Sequence, residues 1–138
     1  MDERPLSLVL FSGTDDRLQA AAVLTAGAAA LGRPVHLFLQ YWALDAFRAD
    51  RIADDHGVAP EGGPEGLRAV TALRAAGQAP WHETLRQAKE LGEVEVQACS
   101  LSMDLLHITE ADLDPLVDGV EGVTAFWLAT GDGQVVFI

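Results

Sequence analysis

The sequence predicts an α/β domain on a mainly parallel sheet, and three observations carry that prediction. Residues 6–11 form a near-continuous apolar run, the pattern of a strand buried on both faces, and residues 34–40 read as a second strand. An alanine-rich helical stretch separates them, so the chain opens strand, helix, strand and implies a right-handed parallel crossover. Helix and strand patterns continue to alternate toward the C-terminus.

The first strand, residues 6–11, ends in Ser12, Gly13, Thr14, Asp15 and Asp16. That turn supplies N-cap candidates and places acids in a first helical turn. The helix runs to about Leu31, and Gly32 is suited to the position after its end. After the second strand, Tyr41 and Trp42 open a short helical stretch toward Arg48. Periodicity weakens over residues 50–80, where Gly57, Pro60, Gly62, Gly63, Pro64 and Gly66 mark a long loop. A short helix is expected there at residues 67–76. A connection of this length either covers a site or interface or is a plain surface insertion.

Residues 82–91 read as a helix stopped by Gly92. Residues 94–98 are a short strand, followed at once by Cys99 and a helix over residues 100–106. Another short helix starts near Thr109. Residues 123–129 fit either a strand turning at Gly131, Asp132 and Gly133 or a helix followed by a last strand at residues 134–138. The helix reading keeps the alternation and is preferred. No internal repeat is visible.

The 138 residues suffice for one domain spanning the whole chain. Composition is that of a globular protein, 49% hydrophobic and 22% charged. No apolar run reaches a membrane span; the longest candidate, residues 20–31, suits a buried helix. The N-terminus is acidic and polar and lacks the pattern of a signal peptide, so a cytoplasmic location is expected. A single cysteine cannot form an internal disulfide, which fits a reducing compartment. A net charge of −12 argues against nucleic acid and anionic membranes as partners and is compatible with a basic protein partner.

Chemistry concentrates at the carboxyl ends of strands, where sites form in open parallel sheets. Two such ends stand out: Ser12, Gly13 and Thr14 after the first strand, and Cys99 with Ser100 after the later one. A sulfur at a helix N-terminus faces unpaired backbone N–H groups, which favour the nucleophilic thiolate. The alternative is a small apolar filler, because cysteine is among the most buried residue types. Any resolving thiol must come from another molecule.

The other candidates are weaker. Ser12, Gly13 and Thr14 could bind an anion through backbone N–H groups, but match neither a P-loop nor G-x-G-x-x-G. Tyr41, Trp42 and Trp81 either wall a pocket or pack in the core or an interface. His107 is expected to be a partly exposed helix-end residue, His36 structural and Asp104 solvated. His56 and His82 flank the long loop without metal-ligand spacing, and no metal site or cofactor is read from the sequence.

Several blocks resemble the DsrE/DsrF-like (DsrE/TusD sulfur-relay) superfamily, in particular its small branch described as putative peroxiredoxins. These are residues 8–13 with Asp15 and Asp16, residues 28–35, residues 38–44, and residues 98–104 with Ile108, Thr109 and Leu113. The ending, residues 135–138, is similar to the family's last strand. The resemblance implies a flavodoxin-like three-layer α/β/α sandwich with a mainly parallel five-stranded sheet. It also implies homo-oligomers, often trimers or hexamers, and a persulfide on Cys99, flanked by Ser100, Ser102 and Met103. Leu106 and His107 stand where related proteins often carry methionine and glycine.

The expected function is that of a sulfur carrier or sulfurtransferase, passing sulfur between Cys99 and a donor or acceptor protein or small thiol. The alternatives are a non-catalytic interaction subunit and a thiol-dependent peroxide reductase.

Overall fold

The computed structural model describes residues 3–138; Met1 and Asp2, the start of the polar N-terminus, lie outside them. The strands are β1 (Leu6–Leu10), β2 (Val35–Leu39), β3 (Val94–Cys99), β4 (Gly119–Glu121) and β5 (Gln134–Phe137). They form one parallel sheet in the order β4-β3-β2-β1-β5. The helices among the described residues are α1 (Asp15–Ala30), α2 (Tyr41–Ala46), α3 (Gly63–Ala75), α4 (Trp81–Leu91), α5 (Ser100–Leu106) and α6 (Val123–Thr130).

The strand order explains where the helices lie. From β1 to β4 the chain moves steadily toward one edge, so right-handed crossovers put the intervening helices on one face. From β4 it returns across the whole sheet to β5, and the same handedness puts α6 on the opposite face. The result is a three-layer α/β/α sandwich with very unequal layers.

Side-chain alternation separates the two cores. Leu6, Leu8, Leu10, Val35, Leu37, Leu39, Val96 and Ala98 point into the large core with Leu18, Trp81, Leu85 and Met103. Val9, Phe38 and Cys99 point the other way and meet Phe126 of α6 in a small cluster. β1 and β2 are buried at every position, which for β1 is what its near-continuous apolar run predicts.

The C-terminal region adopts the helix-then-strand arrangement. Gly32 ends the α1 turn at φ 77°, a left-handed conformation that glycine adopts without a Cβ clash. Several boundaries shift by a residue or more, and one element was not expected. α3 starts at Gly63, with Pro64 in its first turn where a missing N–H costs nothing, rather than at residue 67. α4 starts at Trp81. β4 was not anticipated: its three residues are too few for a hydrophobic period to register. Among the described residues, no helix is long and apolar enough to cross a membrane.

Candidate functional site

Cys99 is the last residue of β3 and the N-cap of α5. The strand beside it, β4, ends at Glu121, its register partner. Beyond these two ends the chain diverges: α5 turns to the large core through Met103, whereas α6 goes to the opposite face. Adjacent strands whose connections leave to opposite faces define a topological switch point, where open α/β sheets place ligands. The two ends lie close together, for a Cβ added at Gly122 would sit 3.8 Å from Ser100 Oγ.

The thiol nevertheless lies under cover. Cys99 is 4% exposed and packs in the cluster with Val9, Phe38 and Phe126. Phe126 stacks on Phe38 with ring centroids 4.9 Å apart, forming the lid of this cluster. Beside it, buried His36 meets Glu121, with Nε2 2.5 Å from Oε1, and Nδ1 lies 3.6 Å from Glu95. His36 lies within β2, as expected. It ties β2 to the residue just before the N-cap of α6. The sequence reading missed Glu121 and Phe126; a charged residue followed by Gly122 and an uncharged helix was the only signal for them.

The second predicted strand end forms a different cavity. Ser12, Gly13, Thr14 and Trp42, with Asp45, Arg51, Asp55 and His56, line a volume of about 370 Å³. Gly13 is required by close approach, because a Cβ there would lie 2.4 Å from the Trp42 carbonyl oxygen. Two of the three amides expected to receive an anion are engaged by the chain itself. Ser12 N–H donates to Ile138 O at 3.3 Å and Thr14 N–H to Ser12 Oγ at 3.4 Å.

Tyr41 and Ser102 connect the strand ends. Tyr41 adopts φ 44°, which is strained for a non-glycine residue, and its N–H donates to Ser102 Oγ at 3.1 Å. Ser102 is buried, and Met103 belongs to the large core rather than to a cavity wall. Cys99, Ser100, Ser102 and Met103 do not line the Ser12 cavity. The structure thus separates the Ser12 cavity from the cluster that holds Cys99.

Trp81 lies apart from Tyr41 and Trp42. It is 1% exposed, packs on Phe47 and donates from Nε1 to Asp15 Oδ1 at 3.0 Å. Asp15, itself buried, also accepts His56 N–H at 2.9 Å and faces Arg74 at 3.3 Å. Arg74 pairs with Asp55 as well. His82, beside Trp81 on α4, is held below its ordinary pKa of 6.5, first by burial and then by the Arg86 guanidinium. His107 is exposed and closes α5 in a left-handed conformation, and Asp104 is exposed on the same helix.

Residues 2–60 match the model of the DsrE/DsrF/DrsH-like family. The match spans β1, α1, β2 and α2 and stops before Cys99. Along nearly its whole length, the chain is similar to the uncharacterized protein YrkE of Bacillus subtilis (strain 168). The two are 28% identical over 152 residues, covering 94% of this chain and 92% of YrkE. In three dimensions it is similar to MTH1491 from Methanobacterium thermoautotrophicum, a protein of unknown function. There the TM-score is 0.61 at 13% identity, covering 97% and 98% of the two chains, which establishes the fold.

Proposed function

We propose that this DsrE-like protein is a cytoplasmic sulfur carrier whose working thiol is Cys99. The observation that carries the reading is the position of Cys99 at the switch point between β3 and β4, at the N-cap of α5. In the transfer, Cys99 thiolate attacks the outer sulfur of a donor persulfide. A new S–S bond forms on Cys99, and the donor leaves as its thiol. An acceptor thiolate then attacks the outer sulfur of the Cys99 persulfide and releases Cys99 thiolate, so no external oxidant or reductant is consumed. With Cys99 4% exposed, both steps require α6 to lift Phe126 off the cluster.

Incubation with a small persulfide donor, followed by intact-protein mass spectrometry, is expected to show an adduct of one sulfur. Cys99→Ser is expected to lose it. Absence of the adduct under conditions that load an established carrier would overturn the reading.

A second reading is favoured by the burial itself. On this reading Cys99 is apolar filler between Val9, Phe38 and Phe126, and the protein is a non-catalytic interaction subunit. Native-state alkylation separates the two. A thiol that reacts at only the global unfolding rate supports the interaction subunit, and one that reacts much faster supports the carrier.

A further inference from the structure

α3 buries none of its residues. Gly66, Val70 and Arg74, spaced one helical turn apart, form its half-buried inner side, and Leu67 and Leu73 flank them at 49% exposure each. A cavity of about 200 Å³ lies between this side and the first turns of α1 and α4. Val70, Leu73, Pro80 and Trp81 supply its apolar walls, and Asp15 and Asp16 its acids. A volume of about 150 Å³ already suffices for benzene, so this cavity has room for an aromatic ring with a short polar arm. A second cavity, of about 340 Å³, continues past Arg74 and shares Asp15, Val70 and Arg74 with the first.

The charges around these spaces do not balance. Among the described residues, three carboxylates, Asp15, Asp16 and Asp55, line the two cavities with one guanidinium, Arg74. Asp15 is the buried one. It accepts two neutral donors, Trp81 Nε1–H at 3.0 Å and His56 N–H at 2.9 Å. A buried carboxylate also needs a cation, because leaving it unpaired is costly. That cation is Arg74, with Nη2 3.3 Å from Oδ1, longer than the roughly 2.7–2.9 Å of a strong charge-assisted hydrogen bond. The same guanidinium also serves Asp55. The cation of Asp15 is therefore shared, long and carried by a helix with no buried anchor. The net charge of −12 further concentrates cations around the molecule.

We propose that the cavity under α3 binds a small organic cation, an ammonium carried on an apolar body the size of a single aromatic ring. The ammonium takes the place of Arg74 at Asp15 Oδ1, and Arg74 keeps Asp55. The ring lies between Val70, Leu73 and Pro80. A neutral ligand of the same shape cannot replace the guanidinium, and an anionic one is repelled by Asp15 and Asp16. Arg74 is thus a built-in competitor that sets the affinity of the site. The site lies with Trp81 on the large-core face of the sheet, whereas Cys99 faces α6, so the sulfur chemistry plays no part in it.

Titration of the isotope-labelled protein with phenethylamine at neutral pH is expected to move the Trp81 indole N–H resonance saturably, because that group shares Oδ1 with the incoming ammonium. Phenethyl alcohol and hydrocinnamate, of matching size, are expected to leave it in place. Arg74→Gln removes the competitor and is expected to tighten phenethylamine binding about fivefold, the upper value for a partly exposed ion pair. Asp15→Asn is expected to abolish binding. Leu73→Lys, at an exposed position on the cavity wall, sets a fixed cation there and is expected to weaken binding while circular dichroism stays native. Cys99→Ser is expected to bind as the unaltered protein does. A Trp81 resonance unmoved by phenethylamine, an equal response to the alcohol or the acid, or an Arg74→Gln variant that binds no tighter overturns the proposal.

Discussion

Gly13 stands where the loops after β1 and β2 touch backbone to backbone. A Cβ would lie 2.4 Å from Trp42 O and 2.9 Å from its carbonyl carbon, and neither is a side-chain end able to swing away. Gly13→Ala is therefore expected to lower stability by about 1–3 kcal/mol, read as a lower urea midpoint at constant m-value. Phe126 makes the converse case. Its loss removes the ring stacked on Phe38 and uncovers Cys99. Phe126→Ala is expected to cost up to about 3–5 kcal/mol, less if α6 settles into the gap, and to speed alkylation of Cys99 at least tenfold. An unchanged alkylation rate would mean that α6 is not the barrier.

His82 gives a residue-scale dependence on pH. Burial and Arg86 lower its folded pKa below 6.5, so near pH 6 the unfolded chain binds more protons than the folded one. Stability attributable to this group is complete above its unfolded value and declines as pH falls through 6.5 toward the lowered folded value. His82→Asn is expected to flatten that part of the stability profile, measured by urea unfolding at about pH 5.5 and 7.5. An identical slope in both proteins would assign the pH dependence to other groups.

At the scale of elements, α3 contrasts with its neighbours. It has no buried residue, and cavities of about 200 and 340 Å³ lie beside its Val70 and Arg74. Arg74 is its polar tie to the body, through buried Asp15 and through Asp55. α4, next in the chain, is fixed by Trp81, Leu85 and Ala88. Hydrogen exchange over residues 63–75 is thus expected to be much faster than over residues 81–91, because few apolar contacts resist local opening. Arg74→Ala should accelerate exchange in α3 further and leave the amides of β1 and β2 unaffected. Equal protection of α3 and α4 would show that the exposed helix is held by something other than Arg74.

For the whole molecule, charge opposes compaction and association together. Twenty-one acidic residues face nine basic ones, and the formal charge of −12 is spread over a small surface. Raising salt from about 20 to 500 mM shortens the screening length severalfold and is expected to raise the melting temperature. A melting temperature that falls with salt would mean that ion pairs such as Arg86–Asp114 and Lys89–Asp118 outweigh the general repulsion.

The strands and most helices were legible because their signals are local. β1 announces itself as a near-continuous apolar run, α1 by its length and terminal Gly32, and α5 by following directly on Cys99. β4 was not legible: Gly119, Val120 and Glu121 form a strand only because Gln97, Ala98 and Cys99 lie alongside. The candidate site was legible in part. Cys99 and the Ser12 turn were located as strand ends, but their placement around separate spaces depends on which way each side chain points.

By itself the sequence determined the α/β alternation, the parallel crossovers and the position of the thiol at the end of β3. These follow from residue spacing, turn residues and chain handedness, all of which act over short stretches. Only the tertiary structure decided that Cys99 faces α6 rather than the large core, that Phe126 covers it, and that α6 and β5 leave an uncharged face open. Those outcomes depend on the return of the chain from β4 across the sheet to β5, a crossover between strands distant in space that no local pattern encodes.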